Sequence, residues 1–304
     1  MIEKPLVESP KARRTFWEVA TSEKYFKWFL IGPILLLLAV FMFYPLIYAL
    51  YYSIQSYVAG GEAAFIGLGN FRAALHSGVF WTASARTFYI LAICITVELT
   101  VGMAVALLLN REFKGQNVVR GLCLLPLLAA PLHMSMEWWV MLRPTGIVNM
   151  MLSTVGIPPV DWFSSKLALY SIMMMQIWQW IPFSVFVLLA GLKSMPKDVF
   201  EAARVDGARG WYIFRRLTLP MLSPLILIII LLRTMWLIRI FDPLFGTTRG
   251  GIGTETLDWY LYRINFYYFN IGQGSTLALI ALFITIVICA LLYRRLMIAM
   301  GLAK

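Results

Sequence analysis

The sequence contains few of the residues from which metal and redox centres are built. Among its 304 residues there are three cysteines and two histidines. Cys94, Cys123 and Cys289 all lie inside apolar runs, where we expect them to be small core residues. This excludes a disulfide framework and a Cys-x-x-Cys site, and it leaves too few ligands for a zinc or di-iron catalytic centre.

Charged residues are scarce as well. They make up 13% of the chain, whereas 61% of the residues are hydrophobic and the mean hydropathy is +0.77. A typical soluble domain carries about 25% charged residues. The composition therefore indicates a protein that crosses a membrane several times.

Six apolar runs are long enough to cross the hydrocarbon core of a bilayer, which needs about 20 residues per helix. We predict spans at residues 28–53, 87–109, 121–142, 168–191, 218–240 and 272–293. The predicted fold class is all-α, a polytopic membrane protein with six transmembrane helices. Few charged residues interrupt these spans, namely Glu98, Glu137, Arg233 and Arg239.

The distribution of lysine and arginine predicts the orientation, because positively charged loops resist translocation. Eighteen of the 26 such residues lie in the tails and loops of one side, six lie on the other side and two lie within the fifth span. We therefore expect both termini to be cytoplasmic, and the net charge of +11 to reflect topology rather than binding to nucleic acid. Residues 1–27 mix basic and aromatic side chains, as expected of a cytoplasmic helix lying in the membrane interface.

The longest cytoplasmic loop contains a predicted alanine-rich helix. Between residues 193 and 220, Ser194 is expected to cap a helix with Asp198 in its first turn, and Gly207, following Asp206, is expected to supply a left-handed stop. The small side chains of this helix would let another backbone approach closely. The alternative interpretation is a solvated loop whose basic residues only enforce topology.

The same loop carries a specific resemblance. The segment EAARVDGARGWYIFRRLTLPMLSP resembles the EAA loop of the permease subunits of binding-protein-dependent ABC importers, whose pattern is Glu-Ala-Ala, then Asp-Gly-Ala, then Leu-Pro. The matching positions are Glu201, Ala202, Ala203, Asp206, Gly207, Ala208, Leu219 and Pro220. Further segments, IGLGNFRAAL, GIVNMML and FDPLFGTTRGG, are similar to the carbohydrate-type permeases of maltose, glycerol-phosphate and trehalose importers. Ile252 stands where that family commonly has proline.

The resemblance implies a type I ABC importer permease fold over residues 28–304, in the bacterial cytoplasmic (inner) membrane. It implies that the helix of loop 193–220 is the coupling helix, with Glu201, Ala202, Ala203, Asp206 and Gly207 contacting an ATPase subunit. The implied partners are a second homologous permease, two cytosolic ABC ATPase subunits, an extracytoplasmic solute-binding protein and membrane lipid. The chain contains no glycine-rich loop ending in Gly-Lys-Ser or Gly-Lys-Thr, so we expect no cofactor here, and ATP and Mg to be bound by the ATPase.

Polar residues within spans usually face a bundle interior or a pathway. In the fourth predicted span Gln176, Gln179, Trp180 and Phe183 recur at helical spacing, so that two amides and two aromatic rings share one face. Such a face suits a sugar, because amides bond hydroxyl groups and a ring covers the apolar side of a pyranose. An interfacial aromatic belt with glutamines bonding across helices is the alternative.

The spacing of three other polar residues predicts a role for each. Glu98 is expected to form a polar lock between helices, beside a seam of small residues made by Gly102 and Ala106. Arg239 and Asp242, three residues apart, are expected to neutralise each other, with gating or contact with substrate as the second role. Asp242 is therefore also a candidate for the substrate pathway.

Two other functions compete with a sugar permease. A polytopic membrane enzyme acting on lipid-linked substrates would need interfacial carboxylates or a metal, and the outer loops offer only Asp161, Glu255 and Asp258 without paired spacing. A permease of the same family for a non-sugar solute, such as phosphate or an amino acid, would differ only in its cargo.

Overall fold

The structure is a computed structural model that describes residues 23–302 and forms two units, Met1–Tyr51 and Tyr52–Lys304. Most of the predicted interfacial segment 1–27 lies outside the described residues. The first unit contributes one long helix. The helices are α1 (Glu23–Ser53), α2 (Gly69–His76), α3 (Gly78–Leu109), α4 (Gln116–Leu128), α5 (Pro131–Met141), α6 (Ile147–Thr154), α7 (Ala168–Ser194), α8 (Lys197–Val205), α9 (Gly210–Ile213), α10 (Leu219–Leu237), α11 (Asp242–Phe245), α12 (Leu257–Tyr262) and α13 (Ile271–Ala299).

Two π-helical turns and one small hairpin complete the described structure. The π turns, Phe214–Thr218 and Arg263–Tyr267, lead into α10 and follow α12. Strands β1 (Gln55–Ser56) and β2 (Ala64–Phe65) pair antiparallel. The all-α fold class is confirmed.

Within residues 23–302, five helical segments are long and apolar enough to cross a membrane. They are Leu30–Ser53, Gly78–Leu109, Ala168–Ser194, Gly210–Leu237 and Ile271–Ala299. A sixth crossing is available if α4 and α5, which meet at an angle of 96°, together form one broken span. The third predicted span, 121–142, is therefore not one continuous helix, and this differs from the expectation.

The break between α4 and α5 is caused by the local sequence and is stabilised by a hydrogen bond from α7. Ala129 and Ala130 are extended, and Pro131 begins α5. Proline disfavours helical geometry in the residue before it, so the helix cannot run through Ala130. The amide nitrogen of Gln179 donates a 2.8 Å hydrogen bond to the carbonyl oxygen of Ala129, which satisfies a backbone group freed by the break.

The most extensive helix packing in the second unit joins α3 to α7. A Cβ atom added at Gly102 would lie 2.7 Å from the Cβ atom of Ser184, so only glycine permits this approach. Ala106, one turn further along α3, is fully buried against Val185 and Leu188 of α7. The seam of small residues predicted on α3 is confirmed.

Two asparagines from segments that carry the family resemblance tie loops together. The Asn70 amide donates to the carbonyl oxygens of Ser53 and Gln55 at 2.9 and 2.7 Å. Asn149, which is buried, exchanges two 2.9 Å hydrogen bonds with the backbone of Val160. Both side chains thereby bond backbone groups that lie 11 to 17 residues away along the chain.

Candidate functional site

A cleft of about 1010 Å³ opens among α7, α10, α11, α12 and α13, with the start of α5 at its edge. Apolar side chains make up much of its lining, and a few polar and aromatic groups converge on it. These groups are Gln176, Trp180, Arg233, Trp236, Arg239, Phe241, Asp242, Asp258 and Thr285. An apolar cleft with a few convergent polar groups is typical of a site for a small molecule.

The structure separates the four residues that the sequence placed on one face of α7. Gln176 and Trp180 line the cleft. The Gln179 amide is committed to the break in the third span, where it bonds the Ala129 carbonyl oxygen. The Phe183 ring packs edge-on against the Trp180 ring at 6.1 Å between centroids. The pathway role therefore stays a prediction for all four residues, of which Gln176 and Trp180 line the cleft.

Arg239 and Asp242 lie together in the cleft lining, but the part of the chain that the structure describes shows no ion pair between them. The reason is that α10 ends at Leu237 and Asp242 begins α11, so helical spacing does not apply. Asp258 on α12 is a third charged residue there, which the sequence did not connect with them. Burial raises the pKa of the Asp258 carboxyl above its ordinary value, Arg239 lowers that pKa and Asp242 raises it.

Glu98 forms a buried bidentate ion pair with Arg233, which lies 135 residues away on α10. Both oxygens of the carboxylate accept hydrogen bonds of 2.7 Å from the guanidinium. The side chains are 0% and 1% exposed for Glu98 and Arg233 respectively. This ion pair is the polar contact between helices that the sequence predicted for Glu98. The sequence did not identify Arg233 as the partner of Glu98.

The proposed coupling loop folds as a short helix with a defined stop. Helix α8 is nine residues long and begins after Pro196, whereas the Ser194 hydroxyl belongs to the end of α7 and donates to the Gly191 carbonyl oxygen. The expected Ser194 cap is therefore wrong. Gly207 has a φ of +76°, and its N–H donates to the Arg204 carbonyl oxygen at 3.0 Å.

The stop at Gly207 is a Schellman motif. The N–H of Ala208 donates to the carbonyl oxygen of Ala203 at 2.9 Å, which completes the pair of hydrogen bonds that defines this cap. Glycine suits the position because a left-handed φ strains any residue with a Cβ atom. The left-handed stop predicted after Asp206 is confirmed.

One side of α8 is uncovered within the described residues. Glu201, Ala202 and Val205 are exposed, Val205 to 88%, whereas Phe200 and Ala203 on the other side are half-buried. Exposed valine and alanine beside a carboxylate form a surface that another protein can approach closely. Their contact with an ATPase stays a prediction.

The loop after α11 has a backbone conformation at Ile252 that the family's proline could not adopt. Ile252 has a φ of +54°, in the left-handed region that proline cannot enter because its ring holds φ near −65°. We expect Ile252→Gly to match or exceed the stability of the parent protein, and Ile252→Pro to cost more than about 1 kcal/mol. The midpoint of thermal unfolding in detergent measures both. A proline variant as stable as the parent would show that the loop does not need this conformation.

Comparison with known proteins agrees with this architecture. A family model described as "Binding-protein-dependent transport system inner membrane component" matches residues 98–298. The probable ABC transporter permease protein y4oQ of Sinorhizobium fredii is 36% identical over 258 residues, which cover 83% of this chain and 84% of the relative. The trehalose/maltose transport system permease protein MalF of Thermococcus litoralis is 32% identical over 257 residues, which cover 83% and 86%.

Further similarity comes from a third relative and a solved structure. The trehalose transport system permease protein SugA of Mycobacterium tuberculosis is 33% identical over 262 residues, covering 85% of this chain and 84% of the relative. A chain of a bacterial alginate ABC transporter, crystallised with an alginate pentasaccharide-bound periplasmic protein, has the same fold with a TM-score of 0.78 at 20% identity, over 93% of this chain and 96% of that one. The chain belongs to the family of binding-protein-dependent transport system inner membrane components, and it is a multi-pass ABC transporter permease of the inner membrane.

Proposed function

We propose that this chain is the permease subunit of an ATP-driven importer and forms half of the translocation pathway for a sugar or sugar-like solute. The observation that carries the proposal is the EAA segment, which forms the exposed helix α8 with its Schellman stop at Gly207. Such a helix can act as a rigid coupling helix through which a separate ATPase moves the transmembrane bundle. ATP and Mg are bound by that motor.

The assembly that this function needs contains a second permease, two cytosolic ATPase subunits and an extracytoplasmic binding protein. Both termini and α8 then lie on the cytoplasmic side, in line with the excess of Lys and Arg in those segments. Closure of the ATPase pair pulls the coupling helices together and rocks the permeases from inward-facing to outward-facing. The driving force is the difference between the affinities with which the ATPase and the binding protein bind the inward-facing and the outward-facing states.

A sugar is the solute that the cleft supports best. Gln176 offers an amide, Arg239 and Asp242 offer charged hydrogen-bonding groups, and Trp180 and Trp236 offer aromatic rings. Hydroxyl groups and the apolar side of a pyranose match these groups. Two of the relatives are named for trehalose or maltose transport. Family membership gives the membrane enzyme no support, and a non-sugar solute remains the competing cargo.

Reconstitution tests this function. The chain is assembled in proteoliposomes with its ATPase, second permease and binding protein, and uptake of labelled maltose, trehalose and lactose is compared with uptake of phosphate and amino acids. We expect uptake of at least one sugar that stops when either ATP or the binding protein is omitted. Uptake of phosphate or an amino acid without any sugar would reject sugar as the cargo.

A further inference from the structure

One continuous helical segment connects the proposed coupling helix α8 with the buried ion pair. The stop at Gly207 follows α8, and residues Gly210–Leu237, which comprise α9, the first π turn and α10, are helical throughout. Arg233 lies near the far end of this segment, about 35 Å along the helix axis from Gly210. A movement of α8 therefore reaches Arg233 through a single helical segment.

The ion pair lies between two apolar cores of the bundle. On α3, Glu98 lies between Ile95 of one core and Ala106 of the other. On α10, Arg233 lies between the same two cores. Within residues 23–302 this is the one ion pair whose two side chains are both fully buried. A polar contact therefore joins the two helices at the level where their apolar packing changes from one core to the other.

The geometry of the pair holds α10 against α3 in a way that apolar contacts cannot. The two Glu98 oxygens each accept a 2.7 Å hydrogen bond, one from Nε and one from Nη2 of Arg233. Two such bonds prevent the guanidinium from turning about either of them. Apolar attraction is not directional, so helices that are joined by apolar contacts alone can slide past each other by small distances. The ion pair therefore opposes sliding between α3 and α10.

We propose that the Glu98–Arg233 ion pair passes the movement of the coupling helix α8 from α10 to α3, so that both helices move as one unit during transport. The inference rests on the proposed function, because it requires that an ATPase moves α8. Arg233 also belongs to the lining of the cleft, so the movement arrives where the solute pathway has to open. Glu98 and Arg233 are positioning residues, since this role needs no contact of either with the solute or with ATP.

Cohesion of the bundle does not account for the pair. Apolar residues of similar volume can often replace a buried ion pair without loss of stability, and charges within a membrane protein are costly. Stability alone therefore gives little reason to place Glu98 and Arg233 here. An apolar pair would lack the directional contact between the two helices. The ion pair should therefore matter for coupling even in a variant that folds without it.

The ratio of solute taken up to ATP hydrolysed tests this role in the complete transporter, reconstituted in proteoliposomes. The probe is whichever of labelled maltose, trehalose or lactose the unmodified complex transports fastest. The double variant Glu98→Met/Arg233→Met should assemble and hydrolyse ATP at close to the parental rate. Its uptake should fall about fivefold or more, which is the lower end of the usual coupling between distant sites. The ratio should therefore fall although the protein is folded.

Ile229→Val is the matched control. Ile229 is fully buried on α10, one turn from Arg233, and the replacement removes one methylene group from the bundle interior. It should lower the midpoint of thermal unfolding slightly and leave the ratio of uptake to hydrolysis unchanged. An equal fall of the ratio in this variant would overturn the inference, because any loosening of α10 would then have the same effect as loss of the ion pair.

The outcomes separate this inference from the function on which it rests. If the unmodified complex takes up none of the three sugars, the proposed function fails and the inference falls with it. If uptake occurs and the double variant keeps the parental ratio, only the inference is overturned. If the double variant does not assemble, Arg233→Lys decides, because lysine keeps the charge beside Glu98 but lacks the planar fork that makes two hydrogen bonds. A lowered ratio in that variant would support the inference, and a parental ratio would overturn it.

Discussion

Glu98→Met is expected to destabilise the protein by about 3–5 kcal/mol, the usual cost of removing one partner of a buried ion pair. The change leaves the Arg233 guanidinium without a counter-ion at a site that is 0% exposed. Arginine cannot shed its proton in a protein, so the charge stays in the bundle interior. Arg233→Met should be less damaging, since the remaining Glu98 carboxyl can take up a proton and become neutral.

The double variant Glu98→Met/Arg233→Met should be more stable than either single variant, because no unpaired charge remains. A thiol-reactive dye that follows Cys94 reports unfolding, since Cys94 is buried one turn from Glu98 on α3. We expect the midpoint of unfolding of Glu98→Met to fall by on the order of 10 °C. If the double variant melted at or below Glu98→Met, the damage would come from lost packing, and the ion pair would not explain it.

Ala202→Arg is expected to abolish coupling without disturbing the permease fold. Ala202 is exposed on the uncovered side of α8, so a larger side chain there meets no part of the described chain. If an ATPase subunit approaches this side closely, the arginine prevents contact, and sugar uptake should fall about 30-fold or more, as when about 2 kcal/mol is lost at an interface hot spot. Co-purification of the ATPase subunits should be lost in parallel.

Ala202→Ser is the control at the same position, because it keeps the side chain small and should keep both uptake and co-purification. Thermal unfolding of the isolated permease should be the same for both variants within about 0.5 kcal/mol, as is usual for exposed positions. An Ala202→Arg protein that still binds its ATPase and transports at the parental rate would exclude this side of α8 as the coupling surface.

Features that depend on neighbouring residues were predictable. The apolar runs identified the membrane-crossing helices because each run is stabilised by its own backbone hydrogen bonds and its own composition. Gly207 stopped α8 as expected, because a left-handed cap needs only a residue without a Cβ atom after the last turn. The Ser194 cap failed for a local reason too: α7 runs on to Ser194, and Pro196 occupies the N-cap position of α8.

The site depended on residues that are far apart in the chain. The sequence showed Glu98 and Arg233 as two isolated charges, and only the packing of α3 against α10 made them a pair. The sequence did not show that the Gln179 amide bonds the Ala129 carbonyl oxygen, 50 residues away at the break between α4 and α5. Arg239 and Asp242 looked like a helical pair until α10 proved to end before both.

The sequence by itself determined that this protein is a helical membrane protein with a short glycine-terminated helix in its longest predicted cytoplasmic loop, because hydrophobic length and backbone conformation are properties of contiguous residues. The resemblance of its EAA segment to a known family added that it is a permease. Only the tertiary structure decided which polar groups are used up within the bundle and which remain available to a solute. The reason is that a polar side chain in an apolar interior bonds to whatever group the packing places nearest, and that neighbour can lie more than a hundred residues away, as with the separation of 135 between Glu98 and Arg233.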